Sequence, residues 1–305
     1  MRRRNHVRHV LLRGCTGGRM RALVLSGGGC KGAYQVGALK KWMCEDGIDY
    51  DIVAGISVGA LNASIISQTP VGQPKVAWDS LKQNWDRVSN SHIKKSWFPL
   101  GVVESIWKPS VYNSEPLNKW IRSGLDQKKI VSSGRKLRVV AVSLDTGESR
   151  VSDETTQNIQ EWVCASAAFP VMLTPINIEG QSWVDGGLRS ITPLGEAIRA
   201  GADEIDIILC SNPDLIPPYR SVGHSAIPGY LERSLDILTN QILRADLKVC
   251  NLKNIISGKG NGHRFIKLRV LQPDVPELTH DSLDFSPKLI QSMMNMGYEG
   301  ACKLV

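Results

Sequence analysis

Short apolar runs punctuated by glycine organise this chain. Ala22–Leu25 is apolar and stops at a glycine run, the pattern of a buried strand entering a tight turn. Behind it, Ala33, Val36, Leu39 and Met43 fall on one helical face. Ile52–Ala54 reads as a second short strand ended by Gly55, and Ala60–Ser67 as the helix that follows. Leu137–Leu144, Ile205–Leu209 and Phe265–Val270 have strand character, while 155–164, 194–200 and 286–302 have helical character. Strands alternating with helices predict an α/β domain whose sheet is largely parallel and covered on both faces.

Two stretches depart from this rhythm. Tyr230–Ile256 carries the longest helical pattern, with a seam running from Leu231 through Leu238 and Ala245 to Ile256. Such a seam is expected to pack on the protein's own sheet, with a dimer seam as the alternative. Residues 70–120 hold Trp78, Trp85, Trp97, Trp107 and Trp120, several prolines and weak periodicity. They read either as a subregion with its own aromatic core or as an apolar cap over a lipid-binding groove.

Composition narrows the classes. At 42% hydrophobic and 22% charged, the 305-residue chain has ordinary globular usage. Membrane-spanning helices need about 20 consecutive apolar residues, and no such run occurs. The net charge of +8 comes from a tail: residues 1–21 hold seven arginines and no acid, leaving 30 basic against 29 acidic residues elsewhere. A body this close to neutrality excludes the field of a nucleic-acid binder. Residues 1–20 are therefore read as an unstructured basic tail, with Met20 as a natural first residue, and 21–305 as the folded domain. A targeting segment, or an arm touching anionic lipid or RNA, is the alternative for the tail. The seven cysteines are scattered singly, with no C-x-x-C pair and no Cys/His cluster. No metal site is expected, and a reducing, cytoplasmic setting fits better than a disulfide scaffold.

Two motifs carry chemistry. Gly27-Gly28-Gly29-Cys30-Lys31-Gly32 lies between a strand and a helix, where free N–H groups and the helix dipole favour an anion. That anion is either a dinucleotide pyrophosphate or the oxyanion of an acyl-transfer intermediate. The acids a dinucleotide site wants, Asp49 and Asp51, precede the second strand rather than closing it. Gly55-Ile56-Ser57-Val58-Gly59 is G-x-S-x-G between a short strand and a helix, the context of a nucleophile elbow that exposes Ser57. A serine nucleophile needs a base. No histidine sits in a recognisable motif, and Asp185 in Val184-Asp185-Gly186-Gly187, taken alone, reads as a simple turn.

Together these motifs resemble the patatin-like phospholipases. The shared features, in family order, are Gly27–Gly32, Gly55–Gly59, Ala141–Glu148, Ala165–Pro170, Asp185-Gly186-Gly187 and Met296-Gly297-Tyr298, covering roughly residues 20–302. The resemblance implies a three-layer α/β/α sandwich with a mainly parallel sheet and a Ser–Asp dyad without histidine. It makes Ser57 the nucleophile and Asp185 the base, and assigns the oxyanion hole to Gly28, Gly29 and neighbouring N–H groups of the run. Phe169 is a candidate lining residue of the acyl groove, whereas Ser166 and Ala168 read as structural. The implied substrates are acyl esters of phospholipids or lysophospholipids, with peripheral membrane contact and no cofactor. A general carboxylesterase, or a phosphate-binding protein using the glycine run, is the alternative. The chain departs from the family in its arginine-rich tail and in Ser26, where the family often has Asp.

Overall fold

In the computed structural model, residues 19–97, 107–215, 265–275, 278 and 281–304 are described, with positions of a helical segment between 234 and 248. The chain opens with β1 (Arg21–Leu25), α1 (Gly32–Leu39), β2 (Ile52–Gly55) and α2 (Val58–Ile66). Next come α3 (Pro74–Arg87), α4 (Asn90–Ile93), α5 (Glu115–Gly124) and α6 (Gln127–Ser132). They lead into β3 (Lys136–Ser143), β4 (Ser149–Asp153), α7 (Ile159–Ser166), β5 (Ile176–Ile178) and β6 (Gln181–Asp185). The last described elements are α8 (Leu194–Arg199), β7 (Glu204–Ile208), β8 (Lys267–Leu271) and a closing helix, α9 (Pro287–Lys303).

Among the described residues the strands form one eight-stranded sheet, ordered β5-β6-β3-β2-β1-β7-β8, with β4 also paired to β3. Strands β3, β2, β1, β7 and β8 run parallel, while β4 and β6 run antiparallel to β3, and β5 antiparallel to β6. Alternation along β1 and β2 splits the core. Leu23, Leu25 and Val53 face the larger cluster under α1, α2, α7 and α9; Ala22, Val24, Ile52 and Ala54 face the smaller one under α8. This is an α/β/α sandwich with mostly parallel strands.

Helix α1 is buried on every side, because α9 crosses it at close range. A Cβ at Gly297 would sit 1.9 Å from the Tyr34 carbonyl oxygen, so this position of the Met296-Gly297-Tyr298 motif admits no larger residue.

At the end of the sheet away from the glycine run, Asp206 ties three strands together. It accepts from Arg21, Arg269 and Tyr50, at 2.9, 2.8 and 3.0 Å, and the Arg269 guanidinium stacks on Trp42.

The 70–120 stretch is more regular than its composition implies. Ala77, Leu81 and Trp85 are buried along one face of α3, and Trp78 Nε1 donates to the Val36 carbonyl at 2.9 Å. Helix α3 thus packs on α1 and α2, while α4 packs on α5. Residues 98–106, the centre of the candidate cap, lie outside the described residues, as do tail residues 1–18 and much of the 230–256 seam. Among the seam residues that are described, Leu238 is 59% exposed and Ile242 is half-buried.

Candidate active site

The parallel strands deliver their C-terminal ends to one edge of the sheet. Chain order reverses about β1, so a crevice opens beyond the ends of β1 and β7, where α/β sheets bind ligands. There lies a cavity of about 360 Å³. Ser26–Gly29 and Lys31 line it, with Ser57, Val58, Asp185 and Gly187. Its apolar wall includes Leu61, Leu117, Phe169, Leu173, Leu283 and Phe285.

Ser57 stands between β2 and α2 with φ 57° and ψ −127°, a conformation that costs a non-glycine residue about 1–3 kcal/mol. Packing holds it there. A Cβ at Gly55 would fall 2.1 Å from the Gly59 carbonyl oxygen, and one at Gly59 would fall 2.2 Å from that of Leu25. The turn can close only with both glycines present.

Asp185 reaches the same place by a different strand. Because β4 covers Arg138–Val142 on one edge of β3, β2 and β6 must share the other. Gly55 pairs with Val139 and Asp185 with Ala141, two positions further on, roughly 7 Å along the strand. The end of β6 therefore abuts the elbow at the end of β2. The stretch after α7 braces both: Ser166 Oγ accepts from the Ser57 N–H at 3.1 Å, and the Ala168 carbonyl accepts from the Asp185 N–H at 3.0 Å. Both residues read as merely structural from sequence, yet they fix the two ends of the site. Asp185 is followed by a tight 3-10 turn, Gly186–Leu188, not by a hairpin.

The Asp185 carboxyl group is buried, and burial raises its pKa to about 6. Oδ1 accepts from the Gly187 N–H at 2.8 Å, which holds back part of the rise. The Ser57 hydroxyl lowers it too, although Oδ2 has no partner in regular hydrogen-bond geometry.

The glycine run passes beside this pair. Gly27 abuts Ser57, its N–H donating to the Ile191 carbonyl at 3.2 Å, while the Cys30 N–H is taken by Ser282. The N–H groups of Gly28, Gly29 and Val58 have no partner among the described residues. Val58 is the first residue of α2, where N–H groups lack intrahelical acceptors. It escapes a reading focused on the glycine run, although its place after the serine was the available signal. Gly32 lies deeper, against Val58 and Trp85. Lys31 is mostly buried and lines the cavity. Burial raises the Cys30 thiol to about 12, which removes it as a nucleophile at neutral pH.

The acids wanted by a dinucleotide reading are engaged at the other end of the sheet. Asp49 pairs with Arg135 at 2.7 Å and Asp51 accepts from the Arg21 N–H at 2.9 Å. His92, the one histidine among the described residues, bonds Ser89 on the surface. Among these residues no group of three or more His, Cys, Asp or Glu side chains is placed to hold a metal ion.

Comparison with known proteins adds relatives. The chain is 27% identical over 197 residues to the uncharacterized protein YjjU of Escherichia coli, covering 61% of this chain and 51% of that protein. It is 45% identical over 191 residues to the patatin-like phospholipase domain-containing protein ZK370.4 of Caenorhabditis elegans, covering 59% of this chain and 13% of that protein. The chain thus spans about half of one relative and a small part of the other. Among solved structures, VipD from Legionella pneumophila aligns with a TM-score of 0.45 at 15% identity, over 94% of this chain and 66% of that one. The family model described as patatin-like phospholipase matches residues 23–198, more than half of the sequence, and the chain belongs to that family of lipid hydrolases.

Proposed function

We propose that the protein is a serine acyl hydrolase that cleaves fatty-acyl esters of phospholipids or lysophospholipids through Ser57 and Asp185. The observation that carries this reading is the wholly buried Asp185 carboxyl group, raised to about 6 and lining one cavity with a strained Ser57. A carboxylate with this affinity accepts a proton more readily than an ordinary aspartate and is still ionised at neutral pH.

The Ser57 hydroxyl attacks the acyl carbonyl while Asp185 takes its proton. The N–H groups of Gly28, Gly29 and Val58 stabilise the resulting oxyanion, each such donor being worth ~3–4 kcal/mol. Asp185 returns the proton to the departing alcohol, leaving an acyl-serine. A water deprotonated by Asp185 then attacks the acyl-serine; its collapse releases the fatty acid, and the proton returns to Ser57. The apolar wall with Phe169 suits an acyl chain. Exposed Leu215, Ile237 and Leu238 at the cavity support peripheral contact with a lipid surface. No helix among the described residues is long and apolar enough to cross a membrane.

The test is product analysis on a mixed phospholipid panel, with Ser57→Ala and Asp185→Asn as controls. The reading expects fatty-acid release by the parent chain, its loss in both variants, and organophosphonate labelling at Ser57. Normal turnover in either variant, or label on another residue, would refute it.

A further inference from the structure

Beneath the glycine run lies a chain of buried polar groups that the proposed mechanism does not use. Trp85 Nε1 donates to Asn62 Oδ1 at 2.8 Å. Asn62 Nδ2 donates to Gln35 Oε1 at 2.8 Å and to the Gly32 carbonyl at 3.3 Å. Gln35 Nε2 donates to the Ser26 carbonyl at 2.9 Å and also meets Cys210 Sγ at 3.2 Å. At the other end of that same peptide group, the Gly27 N–H donates to the Ile191 carbonyl at 3.2 Å. Gln35 and Asn62 are fully buried, and Trp85 nearly so.

The direction of this chain is fixed. An indole nitrogen can only donate, so Asn62 must present its oxygen to Trp85 and its amino group to Gln35. Gln35 must then present its oxygen to Asn62 and its amino group to Ser26. Every bond points the same way, so each polarises the next. The connected segments are the separate parts of the site: α3, the helix that begins behind Ser57, α1, the glycine run, and the loop six residues beyond Asp185. A buried amide pair is costly unless fully satisfied, and hydrophobic residues would fill α1 and α2 more simply.

We infer that Gln35 and Asn62 are positioning residues, whose relay holds the Ser26–Gly29 backbone in register with Ser57. The inference rests on the reading of the glycine run as an oxyanion hole. Losing a link lets the loop shift relative to the serine without disturbing the apolar cavity. A displacement near 1 Å costs about 100-fold in rate.

The experiment uses the full chain with Gln35→Met and Asn62→Leu, which keep side-chain size and remove the hydrogen bonds, plus the double variant. Trp85→Phe is the milder change, keeping the ring stacked on Phe285 while removing the donor. On a long-chain acyl ester, kcat is expected to fall roughly 10- to 100-fold with KM within about two-fold. The double variant should lose no more than the worse single one, since one broken link disables the relay. Hydrogen exchange of backbone amides over 24–32 should accelerate in each variant while β3 and β7 stay protected. Unchanged kcat with unchanged exchange at 24–32, or losses that multiply in the double variant, would overturn the inference. If the parent chain neither releases fatty acid nor takes label at Ser57, the functional reading fails by itself. The exchange comparison still decides whether the relay orders the loop.

Discussion

Replacing Asp185 by asparagine should make the protein inactive and, above pH 6, more stable. Burial lifts the native carboxyl group to about 6, against an ordinary value of 3.8. Between those two values the folded chain binds more protons than the unfolded one, so stability falls as pH rises. Below pH 3.8 the penalty is absent; above 6 it is fully expressed. Two pKa units at ~1.4 kcal/mol each give a cost of about 3 kcal/mol at neutral pH. Asparagine keeps an acceptor for the Gly187 N–H and carries no charge to desolvate. Its stability relative to the parent chain should therefore rise by about 3 kcal/mol between pH 3 and pH 8, roughly 5 °C in Tm for a chain of this size. Thermal and urea unfolding of both proteins across this range measures the difference. Any fixed offset from the substitution cancels, because only its change with pH matters. A difference that stays flat with pH, or shrinks as pH rises, would show that the site does not strain Asp185, and the argument for its basicity would fail.

Three other expectations follow from the geometry. The kcat/KM of the parent chain should rise with pH through a midpoint near 6 and then level off, as Asp185 becomes ionised; a profile without that limb removes Asp185 as the base. Gly59→Ala places a methyl group against the Leu25 carbonyl and should leave little soluble protein, or cost more than ~3 kcal/mol in urea unfolding. Asp206→Ala strands two arginines under the far end of the sheet and should destabilise by about 3–5 kcal/mol, while kcat of the remaining folded protein is unchanged.

Local signals located much of this molecule. The strands before Gly27 and Gly55 and the turn around Ser57 depend on apolar runs, glycine and short-range sterics, all of which lie within a few residues of one another. Helix α3 was legible in principle, since Pro74 opens it and Ala77, Leu81 and Trp85 recur at helical spacing, but the surrounding tryptophans and prolines mask that period. Strands β4 and β5 are short and mixed in polarity, so pairing with neighbours rather than composition makes them strands.

Other features have no local signature. Asp185 followed by two glycines is an ordinary turn by itself; it differs because β6 shares an edge of β3 with β2, which brings the acid beside the elbow and away from water. The same holds for Ser166, Ala168, Gln35 and Asn62, whose partners lie far away in the chain. Sequence alone determined the strand–turn–helix units around the two glycine motifs and the family, because hydrophobic period and backbone sterics act over neighbouring residues. Tertiary structure decided which polar groups meet, and with what proton affinity, because burial and hydrogen bonding depend on the three-dimensional surroundings of a group.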